Sequence, residues 1–175
     1  MVTVDNYEEL ASTTCKDLGS LEANNTHMQM GIYTESAELI DVLKKNLAYG
    51  KAIDWVNVKE EIGDAFWYLA NFCKFNGMSF SEEVDSTNYW ITGFTKEKAM
   101  YDELKFIMTC TTNISENFDI ILGNYMSIIA SYTDFTLDEI LQVNIDKLAA
   151  RYPEGFSSYY ALNRNLEKER TILES

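Results

Sequence analysis

Two pairs of acids stand out by type and spacing: Glu35 with Glu38, and Glu61 with Asp64. Residues three apart on a helix are neighbours, with roughly 5–6 Å between their Cβ atoms, so each pair projects its carboxylates together. Both pairs lie among apolar residues, in GIYTESAELIDVLKK from Gly31 and EEIGDAFWYLANF from Glu60. Acids in such a setting destabilise a fold unless cations or donors satisfy them. If two antiparallel helices carry the pairs, four carboxylates meet, and a cluster of that kind binds cations or takes up protons. All-oxygen ligands suit Mg²⁺ or Mn²⁺ rather than zinc. A carboxylate-bridged di-iron bundle needs Glu-x-x-His on two helices. The sole histidine, His27, follows no acid at that spacing, which argues against di-iron chemistry.

A third group lies in NIDKLAARYPEGF, from Asn144 to Phe156. Asn144, Lys147 and Arg151 share one helical face, where lysine offers a point charge and arginine a planar fork for phosphate oxygens. An ordinary solvated face is the competing reading of the same three residues.

These residues need helices to position them, and the apolar periodicity supplies helices. Ile32, Leu39, Val42 and Leu43 recur at helical spacing and predict a helix over about 27–47, capped by Asn24, Asn25 or Thr26. Ile62, Ala65, Phe66, Leu69, Phe72 and Cys73 predict a second over 56–75, with Gly77 just beyond its end and Tyr68 on the acid stripe. A short helix over 7–18 leads in and stops at Gly19. Ser79 or Ser81 caps a short helix, a bulky connector occupies 89–93, and further helices span 96–109 and 116–130. Thr136 caps the helix that Pro153 and Gly155 end, and a last helix runs from Ser157 or Ser158 to Leu173. No strand alternation competes, so the expected fold class is all-α, in a single domain over 1–175. A weak internal echo relates NVKEEIGDAFWYLANF to NISENFDIILGNYMSI; the later copy has Asn117 and Ile120 at the acid positions.

The chain has 175 residues and a formal net charge of -14, with no basic face for nucleic-acid backbone or an anionic membrane. Three separated cysteines without CxxC point to reduced thiols. With neither a signal segment nor a long apolar run, the expectation is a soluble cytoplasmic protein.

The ordered set of ExxE (Glu35, Glu38), YGK, ExxD (Glu61, Asp64) and KLxxRYPxGF (Lys147 to Phe156), with the His27-x-x-x-Gly31 lead-in, resembles the MazG-like nucleotide pyrophosphohydrolases. These belong to the all-α NTP pyrophosphatases, and the likeness is to their small single-domain phage and bacterial branch. It covers about 27–77 and 135–173, and departs from the family in an inserted helical segment at about 78–134. The resemblance implies hydrolysis of an NTP or dNTP to the monophosphate and pyrophosphate, with Mg²⁺ (Mn²⁺ as substitute) on Glu35, Glu38, Glu61 and Asp64. It further implies Lys147, Arg151, Tyr68 and Lys51 at the phosphates, with Lys44 and Lys45 assisting. His27, Trp67, Asn71 and Asn144 would contact the base, and the protein would form a homo-oligomer, dimer or tetramer. Two rival expectations stand beside it: a nucleotide-sequestering protein without turnover, and a helical interaction protein whose acids are only solvated.

Overall fold

A computed structural model describes residues 1–88 and 96–174 of the chain. The expected connector over 89–93 lies outside the described residues. Every regular element among those described is helical: α1 (Val4–Ser12), α2 (Leu21–Tyr49), α3 (Trp55–Asn76), α4 (Phe80–Ser86), α5 (Lys96–Cys110), α6 (Ile114–Tyr132), α7 (Leu137–Arg151), α8 (Ser158–Leu162) and α9 (Leu166–Leu173), with a 3-10 turn at Thr111–Asn113 between α5 and α6. The fold is an all-α helical bundle.

Local chemistry sets the ends of the helices that matter for the site. Asp54, Ser79 and Thr136 each accept a backbone N–H from the first turn they open, meeting donors that no intrahelical carbonyl reaches. Gly50 and Gly77 close α2 and α3 in the left-handed region, with φ of 63° and 67°, where a side chain would be strained. The start of α2 differs from expectation. The helix begins at Leu21, and Ser20 is its cap. Asn24 instead bonds back to the preceding turn, accepting from Leu18 N–H at 2.8 Å and donating to Asp17 at 2.9 Å. Likewise α1 ends at Ser12 rather than continuing towards Gly19.

α2 and α3 run antiparallel, joined by the short 50–54 connection. At their far ends, the Asn25 and Asn76 amides bond each other reciprocally at 3.2 and 2.9 Å. Gly31 makes the close crossing possible, because a Cβ there would lie 2.2 Å from the Tyr68 ring. α1 and α7 pack on α3, where the Gly63 position brings Asn144 close: a Cβ at Gly63 would lie 3.1 Å from Asn144 Cβ. α5 and α6 cover another side of the α2–α3 pair. Tyr125 of α6 packs edge-on against Phe66 and its hydroxyl meets Ser36 Oγ at 2.7 Å, while Phe118 stacks on Phe72 at 5.4 Å. A continuous apolar core runs through these helices. The segment expected as an insertion therefore lies against the acid-bearing helices.

In the echo of α3 carried by α6, Asn117 sits at a kink and donates to two backbone carbonyls, those of Cys110 and Asn113. The three cysteines are free. Among the described residues no helix is long and apolar enough to cross a membrane. The last expected helix is broken: α8 and α9 are separate, with Asn163, Arg164 and Asn165 between them.

Candidate metal centre and adjoining cleft

Antiparallel packing brings Glu35 and Glu38 of α2 against Glu61 of α3. One carboxylate oxygen from each lies within 4.8 Å of the other two. Glu61 is buried at 6% exposure, Glu35 is half-buried and Glu38 lies at the exposed rim. Burial raises the proton affinity of Glu61 most. Its hydrogen bond with Glu35 and the charges of Glu38, Glu35 and Asp64 add to the effect. Glu35 is also raised, first by burial and then by the Asp64 charge. Like charges this close cannot all ionise, so the hydrogen bond between Glu35 and Glu61 is one in which Glu61 donates. The same crowding that retains a proton would favour a cation in its place. The donor set is oxygen alone, with no histidine or cysteine among the three, and it fits Mg²⁺ or Mn²⁺.

Asp64, the fourth expected ligand, is turned differently. Both of its oxygens accept from Lys147 Nζ at 2.6 Å, and Oδ1 also accepts from Asn144 at 2.7 Å. Asp64 thus contributes charge to the centre while its oxygens hold an ion pair beside it.

That ion pair corrects the reading of the α7 face. Lys147 has no exposed surface and reaches Glu60 as well, at 3.3 Å. It is no solvated lysine, since Asp64 and Glu60 already hold its ammonium. Removing one partner from such a buried pair costs about 3–5 kcal/mol, more than one charged hydrogen bond returns, about 1.5–3 kcal/mol. Asn144 is likewise engaged inside the protein: its amide donates to Asp64, and its oxygen accepts from the Tyr7 hydroxyl at 2.9 Å. Arg151 forms a two-pronged pair with Glu169, Nε to Oε1 at 2.9 Å and Nη2 to Oε2 at 2.6 Å.

Beside the centre opens a cleft of about 790 Å³. Glu35 and Asp64 line it together with His27, Trp67, Tyr68 and Arg151. Trp67 and Tyr68 meet edge to face at 4.9 Å, and His27 stands edge-on to both, at 6.5 and 5.8 Å. The Trp67 indole N–H is fixed by the Ala11 carbonyl and Thr14 hydroxyl of the lead-in, at 3.0 and 2.9 Å. Burial lowers the His27 pKa, so the ring is neutral at pH 7, and its Nδ1 is buried without a hydrogen bond. Tyr68 stays protonated, its pKa raised by burial and then by Glu35, so its hydroxyl remains a donor.

Two other expected contacts lie elsewhere. Asn71 is buried, its amide donating to the Trp67 carbonyl, and it lines neither this cleft nor its neighbour. Lys51 is exposed on a separate surface hollow that it shares with Glu38 and Lys45, while Lys44 and Lys45 pair with Asp41.

Sequence reasoning passed over Glu60, Arg164 and Glu169. The asparagines flanking Arg164 were a usable signal, since asparagine favours helix ends over interiors. Comparison with protein-family models, curated proteins and solved structures gives no match to this chain.

Proposed function

We propose that this protein is a metal-dependent nucleoside triphosphate pyrophosphohydrolase of the MazG-like kind, converting an NTP or dNTP and water to the monophosphate and pyrophosphate. The observation that carries the reading is the convergence of Glu35, Glu38 and Glu61 beside an aromatic cleft, which Glu35 also lines. The order of the acid and KLxxRYPxGF motifs supports it as well. In this reading Glu35, Glu38 and Glu61 hold Mg²⁺ or Mn²⁺, and Asp64 either joins them or orients Lys147. The bound ion would neutralise charge on the phosphates and acidify an attacking water. Glu35 or Glu38 then accepts that water's proton. Tyr68 donates to a phosphate oxygen, and the His27, Trp67 and Tyr68 rings take the base. A reducing, cytoplasmic setting belongs to the same reading. So does homo-oligomerisation, although α5 and α6 cover one side of the α2–α3 pair from within the chain.

One observation favours a second reading, a nucleotide binder without turnover: the Asp64 oxygens are engaged by Lys147 and Asn144. Incubation with Mg²⁺ and a panel of NTPs and dNTPs, resolving pyrophosphate from phosphate, separates the two. The enzyme reading expects monophosphate and pyrophosphate in equal amounts, with Glu61→Gln inactive. Nucleotide binding without product supports the second reading, and neither binding nor product from any substrate overturns both.

A further inference from the structure

A second cavity, about 480 Å³, lies against the acid centre: Glu35, Glu38, Glu61 and Asp64 are in its lining, and Tyr68 borders both it and the first cleft. The lining also carries Arg151, Arg164 and Arg170, with Glu60 and Glu169 beside them. These arginines differ in how far they are neutralised. Arg170 is held by two acids, Asp54 and Glu174. Arg151 and Arg164 share Glu169, with Arg164 Nη2 at 2.6 Å and Nε at 3.2 Å from the same oxygen, and Arg164 has a second, longer ion pair with Glu60. The carboxylates beside Arg164 are thus shared with other cations, Glu169 with Arg151 and Glu60 with Lys147. The next acid, Glu60, is 3.7 Å from Arg164 and closer to Lys147.

Accessibility separates the cations further. The Arg164 side chain is 39% exposed, against 12% for Arg151 and none for Lys147. The backbone at Arg164 is held on both sides, because Asn163 donates to the Tyr159 carbonyl and Asn165 caps α9 through Lys168 N–H. Arg164 therefore sits at a fixed point between two helix ends, with donors beyond those Glu169 uses.

Building on the pyrophosphohydrolase reading, we infer that Arg164 is the residue that binds the substrate's polyphosphate tail. It exchanges part of its contact with Glu169 for phosphate oxygens, while Arg151 keeps Glu169 in place. The tail lies between the acid centre with its cation and the guanidinium wall. Arg164 meets this anion while Arg151 still pairs the buried Glu169 carboxylate, whereas Lys147 would have to leave Asp64.

The test is calorimetric titration of inorganic tripolyphosphate into the full chain with Mg²⁺, alongside steady-state kinetics on the best nucleotide of the panel. Arg164→Ala should weaken tripolyphosphate binding about ten- to a hundredfold, the size of a lost charged hydrogen bond. KM should rise by a similar factor and kcat should change less. Arg164→Lys should restore part of the affinity, which a purely structural role would not produce. Circular dichroism and melting temperature show whether Arg164→Ala still folds. If it does not, Arg164→Lys and Arg164→Gln carry the comparison, and equal affinity in those two overturns the inference. Wild-type affinity in Arg164→Ala, with wild-type hydrolysis intact, overturns this assignment alone. A wild-type protein that neither binds tripolyphosphate nor hydrolyses nucleotide overturns the assignment together with the function beneath it.

Discussion

At the scale of single residues, Glu61 and Glu35 set how the protein responds to pH. Both carboxyls hold protons more tightly in the folded chain than the ordinary glutamate value of 4.5 implies. Above that value the folded state carries more protons than the unfolded state, so stability falls as pH rises. The metal-free protein should melt at progressively lower temperature from about pH 5 to about pH 8, and Glu61→Gln should flatten that slope. A wild-type melting temperature that climbs over this interval would contradict the cluster's raised proton affinity. Mg²⁺ must displace the proton, so the stabilisation it confers should grow with pH over the same interval. Lys147 makes a different prediction. Lys147→Met leaves Asp64 and Glu60 without their buried cation and should cost about 3–5 kcal/mol in denaturant unfolding. Adding Asp64→Asn should recover part of that loss, whereas simple additivity of the two costs would show that the pair is not coupled.

At the scale of elements, the centre depends on how closely two helices cross. Gly31 has no side chain where the Tyr68 ring lies. Gly31→Ala should destabilise the protein by about 1–3 kcal/mol through overpacking, and should move Tyr68 and disturb the cleft as well. Unchanged stability and unchanged near-ultraviolet dichroism would show that the ring has room to shift. The helices themselves were legible in the sequence because burial imposes a period on apolar residues. α3 and α7 lie within a residue or two of expectation, with Thr136 and Gly77 at their ends. The start of α2 was less legible. Asn24, Asn25 and Thr26 have the chemistry of a cap, but Ser20 takes the role and Asn24 serves the preceding turn. The helical rhythm continues across Asn163, Arg164 and Asn165 and predicts helix interior there. Its two asparagines end one helix and begin another.

At the scale of the whole molecule, a chain of net charge -14 repels a polyphosphate anion except where cations gather. Nucleotide affinity should therefore vanish in EDTA and return with Mg²⁺, read by calorimetry. Affinity that survives chelation would place the anion on the arginine wall alone. The segment over 78–134 also acquires a role at this scale. Its helix α6 sets Tyr125 against Ser36, between Glu35 and Glu38 in sequence, so α6 buttresses the element that carries half of the acid centre.

The sequence by itself determined the helical class, the acid pairs and their setting among apolar residues, because periodicity and i, i+3 spacing are local properties of the chain. Only the tertiary structure decided which acids converge and which cations are free to act. Asp64 and Lys147 are far apart in the chain, and their pairing arises where α7 crosses α3 at Gly63. Burial then separates two basic residues that look equivalent in sequence: Lys147 is locked inside an ion pair, and Arg164 is left at the wall of the cavity. Desolvation and long-range contact made that distinction, and neither is written in residue spacing.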